Sequence, residues 1–541
     1  MEKFGGNKER VYRVALGLIA VAYCVFAAIA SGSRGLLLDE VYQLYFSMKM
    51  GFVESLTVDP YACPLFTAIA WVWYHIVPYG DLALRSICIV FSAGVLLLGA
   101  GCARTLAGRK AGLTAALLLF LNTNLMIEGA LCFRPYALYA LLAASVLYLY
   151  LRRLRALNRG EQVPWRNVVA MGIAMALLGY THYLGLAFCA IIFLFDIVLL
   201  LSGRLTGSRL KAFSSYLIAV VLYIPWVAVA LKVFNERIAP AVENAGDAEA
   251  LSKLDGAVVR TIGDSDGTFT MNDMFGFLGG SDVAAWVFAL ATVVVVLVVL
   301  YCALTRRINF VGGLALLAPV VLAHAMVAPF YFLATQTELI TTFWTDRYFM
   351  PLTVCIAVAC AVAPFVAVRL FTRKAPVQAA AAVLVVAVVA VFNIQQFAAD
   401  LDNGDAAMYE PFTNYLSAQD DLQDDSTAWL TYSASKNRTR ELTVWVEYLF
   451  EKDGQQSVDI NIIDGCDEEV KKDPDCLLNY EVLYVSMNSN NFRYPTIRKK
   501  FKTILKHDYV LVDTYVPYPE RHPREWVMKY VRKDVYEKEN N

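Results

Sequence analysis

The sequence predicts a polytopic α-helical membrane protein, with about eleven transmembrane helices, an extracytoplasmic loop carrying an amphipathic helix, and a small C-terminal α/β domain. Three observations predict it. Of 541 residues, 58% are hydrophobic and only 18% charged, where soluble domains run near about 25% charged. The apolar residues fall into runs of membrane-crossing length. Basic residues crowd into alternate linkers between those runs, and the polar material gathers after residue 395.

Bulk composition narrows the classes. Lys+Arg is 47 and Asp+Glu 48, so no global nucleic-acid charge exists. Eleven cysteines in no CxxC pattern and five histidines argue against a structural zinc site. Tyr and Phe, 30 each, suit interfacial belts.

The first run, 11–31, is long enough to cross and leads into Ser-Gly-Ser-Arg-Gly rather than a small-x-small cleavage site, so it reads as a retained anchor. Further spans are expected at 82–102, 111–127, 135–151, 167–182, 184–202, 213–232, 284–303, 309–330, 348–368 and 375–394. Polar Tyr180-Thr181-His182 divides 167–202 into two. Linkers at 104–110, 152–166, 204–211, 306–307 and 369–374 hold many Arg and Lys, including Arg104, Arg109, Arg153 and Arg369, with Glu161 their only acid. With the spans so counted, all of these linkers and the basic N-terminal tail share one side. The positive-inside rule makes that side cytoplasmic.

The other side then holds the 32–81 loop, the turn from Glu128 to Arg134, the 233–283 loop with nine acids and three bases, and the region after 395. Within the first loop, 36–51 shows helical apolar spacing and reads as an interfacial amphipathic helix. Asp39 and Glu40 open it, where exposed N–H groups favour negative charge. Residues 61–77 form a second apolar helix, short enough between Pro60 and Pro78 to lie at the interface rather than span. Residues 1–395 are thus a transmembrane domain and 396–541 an extracytoplasmic domain. Strands are expected at 429–433, 458–463, 481–487 and 509–515, and helices at 441–450 and 496–505. Cys466 and Cys476 bracket an acidic stretch, either as a disulfide or as two free thiols, and Asn437-Arg-Thr439 is a glycosylation sequon.

Ionisable residues at membrane level point to function. Adjacent helix residues face different ways, so one of Asp39 and Glu40 can enter a site while the other packs or caps. A carboxylate at an apolar boundary can act as general base. Arg134, just before a helix start, and Arg347 of Asp346-Arg347-Tyr348 lie on one rim, and a planar guanidinium can clamp phosphate. His182 can donate to a phosphate or shuttle a proton. The bland alternatives are an acidic first turn, snorkelling arginines and a hydrogen-bonded interfacial histidine. No spacing demands a metal, although Asp39, Glu40, Asp59 and Glu128 offer oxygens that suit a divalent cation.

The same residues carry a family resemblance. Asp39-Glu40, Pro60 and Pro64 followed by Asp81-Leu-Ala-Leu-Arg85-Ser86, Arg134-Pro-Tyr136-Ala-Leu-Tyr139, Thr181-His182-Tyr183, and Arg347-Tyr348 before Pro351 stand in the order of motifs in the GT-C glycosyltransferases. The chain resembles the protein O-mannosyltransferase and aminoarabinose-transferase-like group of that superfamily. It departs where family members show His-Pro-Pro-Leu, since this chain has Asp59-Pro60-Tyr61-Ala62-Cys63-Pro64-Leu65. The resemblance implies a GT-C-type bundle in a bacterial cytoplasmic membrane. It implies an inverting enzyme of cell-envelope glycan chemistry, mannosyltransferase-like, that moves a sugar from a polyprenyl-phosphate donor to a glycan, lipid or protein hydroxyl at the outer face. Asp39 would be the base and Glu40 its helper. Arg134, Arg347, His182 and Tyr348 would hold the donor phosphate, and Asp59, Glu128, Tyr136 and Tyr139 would line the donor or acceptor pocket. Two rivals remain open: a transporter or flippase of a lipid-linked sugar, and a membrane scaffold acting through its C-terminal domain.

Overall fold

A computed structural model describes residues 2–32, 34–57, 63–77, 80–202, 207–233, 235, 275–276, 279–336, 346–372, 374–402, 414–431, 444, 446–449, 460–464, 470, 472–487, 495–516 and 526–540. Asp59, the sequon at Asn437, Cys466, most of the 233–283 loop and part of the 441–450 helix lie outside the described residues.

In chain order the helices are α1 (Glu2–Gly32), α2 (Leu38–Lys49), α3 (Phe52–Thr57), α4 (Pro64–Ile76), α5 (Asp81–Ala107) and α6 (Arg109–Phe120). A π-helical turn (Leu125–Ala130) follows. Next come α7 (Tyr136–Asn158), α8 (Trp165–Thr181), α9 (Leu184–Leu201), α10 (Gly207–Val233), α11 (Asp282–Leu304), α12 (Phe310–Gln336), α13 (Pro351–Phe371) and α14 (Ala375–Asp402). The rest is β1 (Thr427–Thr431), β2 (Ile462–Asp464), β3 (Val482–Met487), α15 (Pro495–Asp508), β4 (Tyr509–Tyr515), β5 (Trp526–Arg532) and α16 (Lys533–Asn540).

Each expected span contains a helix, and the one at 111–127 breaks at Leu121 and Asn122, where α6 ends before the π-helical turn. Among the described residues, nine helices are long and apolar enough to cross a membrane: α1, α5, α7 and α9 to α14. The other two expected spans are shorter, α6 with 12 residues and α8 with 17. At 1.5 Å per residue α6 reaches only about 18 Å, against an apolar core of about 30 Å, and needs the π-helical turn to extend it. α4, with 13 residues, reaches only about 20 Å, short of the apolar core of a bilayer. The split of 167–202 falls where Thr181 ends α8 and Leu184 starts α9, which leaves His182 outside both helices.

By packing, the chain divides into two units. The first comprises Met1–Ser33, Phe52–Ile69 and Arg85–Leu401. Here α13 is buried along most of its length, against α6, α11 and α12, and α8 packs on α7 and α10. Small residues set the spacing, as lipid-embedded helices require. A Cβ at Gly172 of α8 would meet the Ser215 carbonyl oxygen of α10 at 2.7 Å.

One end of this bundle gathers the basic linkers. Glu9 of α1 pairs with Arg104 at 2.9 Å and Arg109 at 3.4 Å. Arg369 donates to the Ala107 carbonyl at 2.6 Å, and Lys110 to the Ala375 carbonyl at 2.9 Å. Lys211 lies 4.6 Å from the Trp165 ring, which joins two further linkers. Arg153, counted above as linker charge, belongs elsewhere. It is buried in α7 and bound to Asp196 of α9, whose carboxylate also accepts the Tyr216 hydroxyl of α10 at 2.7 Å.

The second unit comprises Arg34–Gly51, Ala70–Leu84 and Asp402–Asn541. Its sheet has the order β2-β1-β3-β5-β4, with β1 parallel to β2 and β3 and β5 antiparallel to β3 and β4. Strand alternation sends Trp429 and Tyr484 into one core and Ala428, Leu430, Leu483 and Val485 into another, with Phe501 and Leu505 of α15 covering the latter. β5 went unanticipated and converts the expected α/β order into a mixed sheet. Lys49 of α2 pairs with Glu447 at 2.8 Å, and the Tyr448 hydroxyl donates to Asp81 at 3.3 Å. These contacts tie 34–51 and 70–84 to the C-terminal region.

Candidate functional site

The first unit places most of the anticipated residues at the end of the bundle away from the basic linkers. Their frame is the connection between α6 and α7. α6 stops at Phe120, and the Asn122 side-chain oxygen accepts the Leu125 N–H at 2.8 Å to start the π-helical turn. The Leu131 N–H reaches back to the Met126 carbonyl at 2.9 Å, an i→i+5 bond. Such turns are rare and cluster at functional sites. The turn is buried rather than a surface loop, with Leu131, Cys132 and Phe133 fully covered. It presents Glu128.

Glu128 faces Arg347, with carboxylate and guanidinium 3.7 Å apart and each side chain about four-fifths covered. The Arg347 guanidinium lies 5.5 Å from the centre of the Tyr136 ring, a cation–π arrangement. Tyr136 adjoins Tyr348 at 6.3 Å, Tyr348 adjoins His182 at 5.0 Å, and His182 stacks on Tyr139 at 4.7 Å. Glu128, Arg347, Tyr136, Tyr348, His182 and Tyr139 thus form one connected group, drawn from the π-helical turn, α7, the α8–α9 joint and the approach to α13.

Local chemistry fixes the state of His182. The Leu184 N–H donates to its Nδ1 at 3.2 Å, so the ring proton sits on Nε2, which is left as a donor. Burial and then the nearby Arg134 charge hold its pKa down to about 4, so the imidazole is neutral. Arg134 follows a tight turn in which its N–H bonds the Cys132 carbonyl at 2.8 Å, and its side chain is half-buried.

Arg85 is fully buried and donates to the Ser31 carbonyl at 3.3 Å and to the Ser31 hydroxyl at 3.5 Å. It thereby caps the C-terminal end of α1 with positive charge.

Asp39 and Glu40 belong to the second unit, in the first turn of α2. They diverge as adjacent helix residues must. Glu40 is fully buried and its carboxylate accepts the Leu37 N–H at 2.8 Å, the returning half of a capping box. Asp39 is half-buried.

Among the described residues a divalent cation finds no gathered donor set: no three His, Cys, Asp or Glu side chains converge. Glu40 is engaged as a cap and Glu128 faces a guanidinium.

Several structural residues escaped the sequence reading. Asn393 of α14 is fully buried and donates to the Leu121 carbonyl at 3.1 Å and the Gly279 carbonyl at 2.9 Å, while accepting the Ser281 hydroxyl at 2.6 Å. Thr123 donates to the Gly280 carbonyl at 3.0 Å. Gly280 has φ +90, and a Cβ there would sit 2.7 Å from the Asn393 amide nitrogen. This knot fixes the end of α6 from which the π-helical turn departs. Its signal was available: a polar amide set between Phe392 and Ile394 in an apolar helix, as Asp196 is a lone acid in α9.

No family model and no curated protein matches the chain. Solved structures do. ArnT from Cupriavidus metallidurans bound to undecaprenyl phosphate aligns with a TM-score of 0.53 at 14% identity, over 95% of this chain and 97% of that one. The Archaeoglobus fulgidus oligosaccharyltransferase tethered with an acceptor peptide gives 0.51 at 14% identity, over 92% and 73%. AglB of Archaeoglobus fulgidus, in complex with an inhibitory peptide and a dolichol-phosphate, gives 0.51 at 13% identity, over 95% and 74%. At such identities the likeness is one of fold: the chain shares with these structures a bundle of membrane-length helices, nine among the described residues, and carries a small C-terminal mixed β domain.

Proposed function

We propose that the chain is an inverting GT-C-type glycosyltransferase that moves a sugar from a polyprenyl-phosphate donor to a hydroxyl of a glycan, lipid or protein. The observation that carries this reading is the connected group around Arg347, with Glu128, His182 and three tyrosines in contact at one end of an apolar bundle, Tyr136 and Tyr139 buried and the others half-buried. The ArnT structure that shares the fold holds undecaprenyl phosphate, which supports a lipid phosphate as the ligand.

In the proposed reaction the acceptor oxygen attacks the anomeric carbon opposite the phosphate. The bond from that carbon to the phosphate oxygen breaks and its electron pair stays on the phosphate. Asp39 takes the acceptor's proton. Arg134 and Arg347 stabilise the charge that develops on the leaving phosphate, and His182 donates to it through Nε2–H. Tyr348, Tyr136 and Tyr139 shape the pocket. No step is routed through a metal. Residues 1–395 would be the catalytic domain and 396–541 the extracytoplasmic domain. The gathered basic linkers favour a cytoplasmic N-terminus, with the site on the outer face of a bacterial cytoplasmic membrane.

Mass spectrometry of lipids co-purified with the protein, followed by a transfer assay with the donor so found, tests the proposal. A polyprenyl-phosphate sugar and its consumption are expected. Movement of that lipid across liposomes without transfer to any acceptor would favour the transporter instead. Loss of no function but partner recruitment on removal of 396–541 would favour the scaffold.

A further inference from the structure

Three consecutive buried polar residues, Asn122, Thr123 and Asn124, precede the π-helical turn. Two have evident work: Asn122 caps the turn and Thr123 latches Gly280. Asn124 has none. It is 4% exposed, and neither its Nδ2 nor its Oδ1 finds a hydrogen-bond partner among the described residues. Leaving both halves of a buried amide unmatched is costly, and native structures tolerate it mainly for a reason.

Asn124 lies four residues before Glu128. In a turn closed by i→i+5 bonds, residues four apart project from roughly the same side. The amide therefore shares a face with the carboxylate that meets Arg347. A second unmatched group adjoins the same cluster: the Tyr139 hydroxyl is buried without a partner among the described residues, while its ring stacks on His182.

The chemistry of this pair selects a ligand. Asn124 offers a donor and an acceptor, and Glu128 offers acceptors. A phosphate has only acceptors to give and would leave Oδ1 unmatched. A prenyl chain would satisfy neither group. A metal cation would leave the amide N–H groups unused. Sugar hydroxyls, each both donor and acceptor, match both residues. We propose that Asn124 and Glu128 bind hydroxyls of the donor's sugar, with Asn124 as a specificity-determining residue. This rests on the glycosyltransferase reading above.

The test uses the full chain in nanodiscs, titrated with undecaprenyl phosphate and with its mannosyl and glucosyl esters. Wild type should bind one ester more tightly than the bare lipid. Asn124→Leu, similar in shape but without polar atoms, should keep bare-lipid affinity within about twofold and lose about tenfold or more toward that ester. Asn124→Ala should show the same split, which covers the chance that leucine misfits. The ligand-free Asn124→Leu protein should melt at or above the wild-type midpoint, since an unmatched amide has been removed. Equal changes toward both lipids, no change toward either, or a wild type that ignores the sugar would overturn the inference while leaving lipid-phosphate binding intact. A wild type that binds none of these lipids would instead overturn the glycosyltransferase reading, and this inference with it.

Discussion

Asp39→Asn and Glu40→Gln are the same chemical change at neighbouring positions, and the structure assigns them opposite consequences. Glu40 is fully buried and accepts the Leu37 N–H at 2.8 Å. A hydrogen bond to an ionised group contributes about 1.5–3 kcal/mol, and negative charge in a first helical turn adds about 0.3–1 kcal/mol. Glu40→Ala removes both and should cost about 2–4 kcal/mol. Glu40→Gln keeps an oxygen in place and should cost nearer to 1 kcal/mol. Asp39 is half-buried, and its isosteric replacement should alter stability by less than about 0.5 kcal/mol. Catalysis should invert this order. Loss of a general base removes about 10²–10⁴-fold in rate, so Asp39→Asn should be nearly inactive, whereas Glu40→Gln should transfer within about tenfold of wild type. Thermal midpoints in detergent, paired with initial rates using the co-purified donor, measure both effects. If Glu40→Gln abolishes transfer at an unchanged midpoint while Asp39→Asn transfers normally, the division into base and cap is wrong.

Three further outcomes are expected. Arg347→Ala should weaken undecaprenyl phosphate binding by about 10–100-fold, with Arg347→Lys intermediate because it lacks the planar fork. Glu128→Gln, which removes the facing carboxylate, should preserve that binding; equal losses in a direct titration would refute the clamp. His182 is held near 4 against an ordinary value of about 6.5, so its neutral form is favoured in the fold. Its contribution is complete above about pH 6.5 and is lost as pH falls toward 4, at up to about 1.4 kcal/mol per unit. His182→Gln should flatten that acid decline in the thermal midpoint, and an unchanged slope would count against it. Asp196→Asn strips Arg153 of its counter-charge inside the bundle and should cost about 3–5 kcal/mol, most of it recovered in Asp196→Leu combined with Arg153→Met. Proteolytic susceptibility or thermal unfolding reads this directly.

Much of the bundle was legible because lipid imposes a simple rule. Backbone groups must be satisfied locally, so long apolar runs become helices, and the basic linkers fall at one end. The amphipathic period of 36–51 located α2 for the same reason. Legibility failed where one residue's neighbours lie far away in sequence. Glu40 and Asp39 look equivalent on paper, and only the return of one carboxylate to Leu37 separates them. β5 carries the alternation of a strand in WVMKYVR, but its place between β3 and β4 depends on pairing that no local pattern reveals. Arg134, His182 and Arg347 could be marked as charged or titratable groups at helix ends. The aromatic rings that join His182 to Arg347 became visible only in three dimensions.

The Asn393 knot bears on the order in which the protein can be finished. The amide that satisfies the Leu121 carbonyl is encoded 272 residues downstream of it. At about 5–20 residues per second, the ribosome delivers Asn393 roughly 15–50 s after Leu121. Until then the end of α6 has an open carbonyl in a poorly hydrated setting, where exposed backbone is disfavoured. The frame beneath Glu128 is therefore completed by nearly the last helix to enter the bilayer. A chain halted after Tyr348 and before Asn393 would contain every residue of the Arg347 cluster and still lack the bond that closes its base.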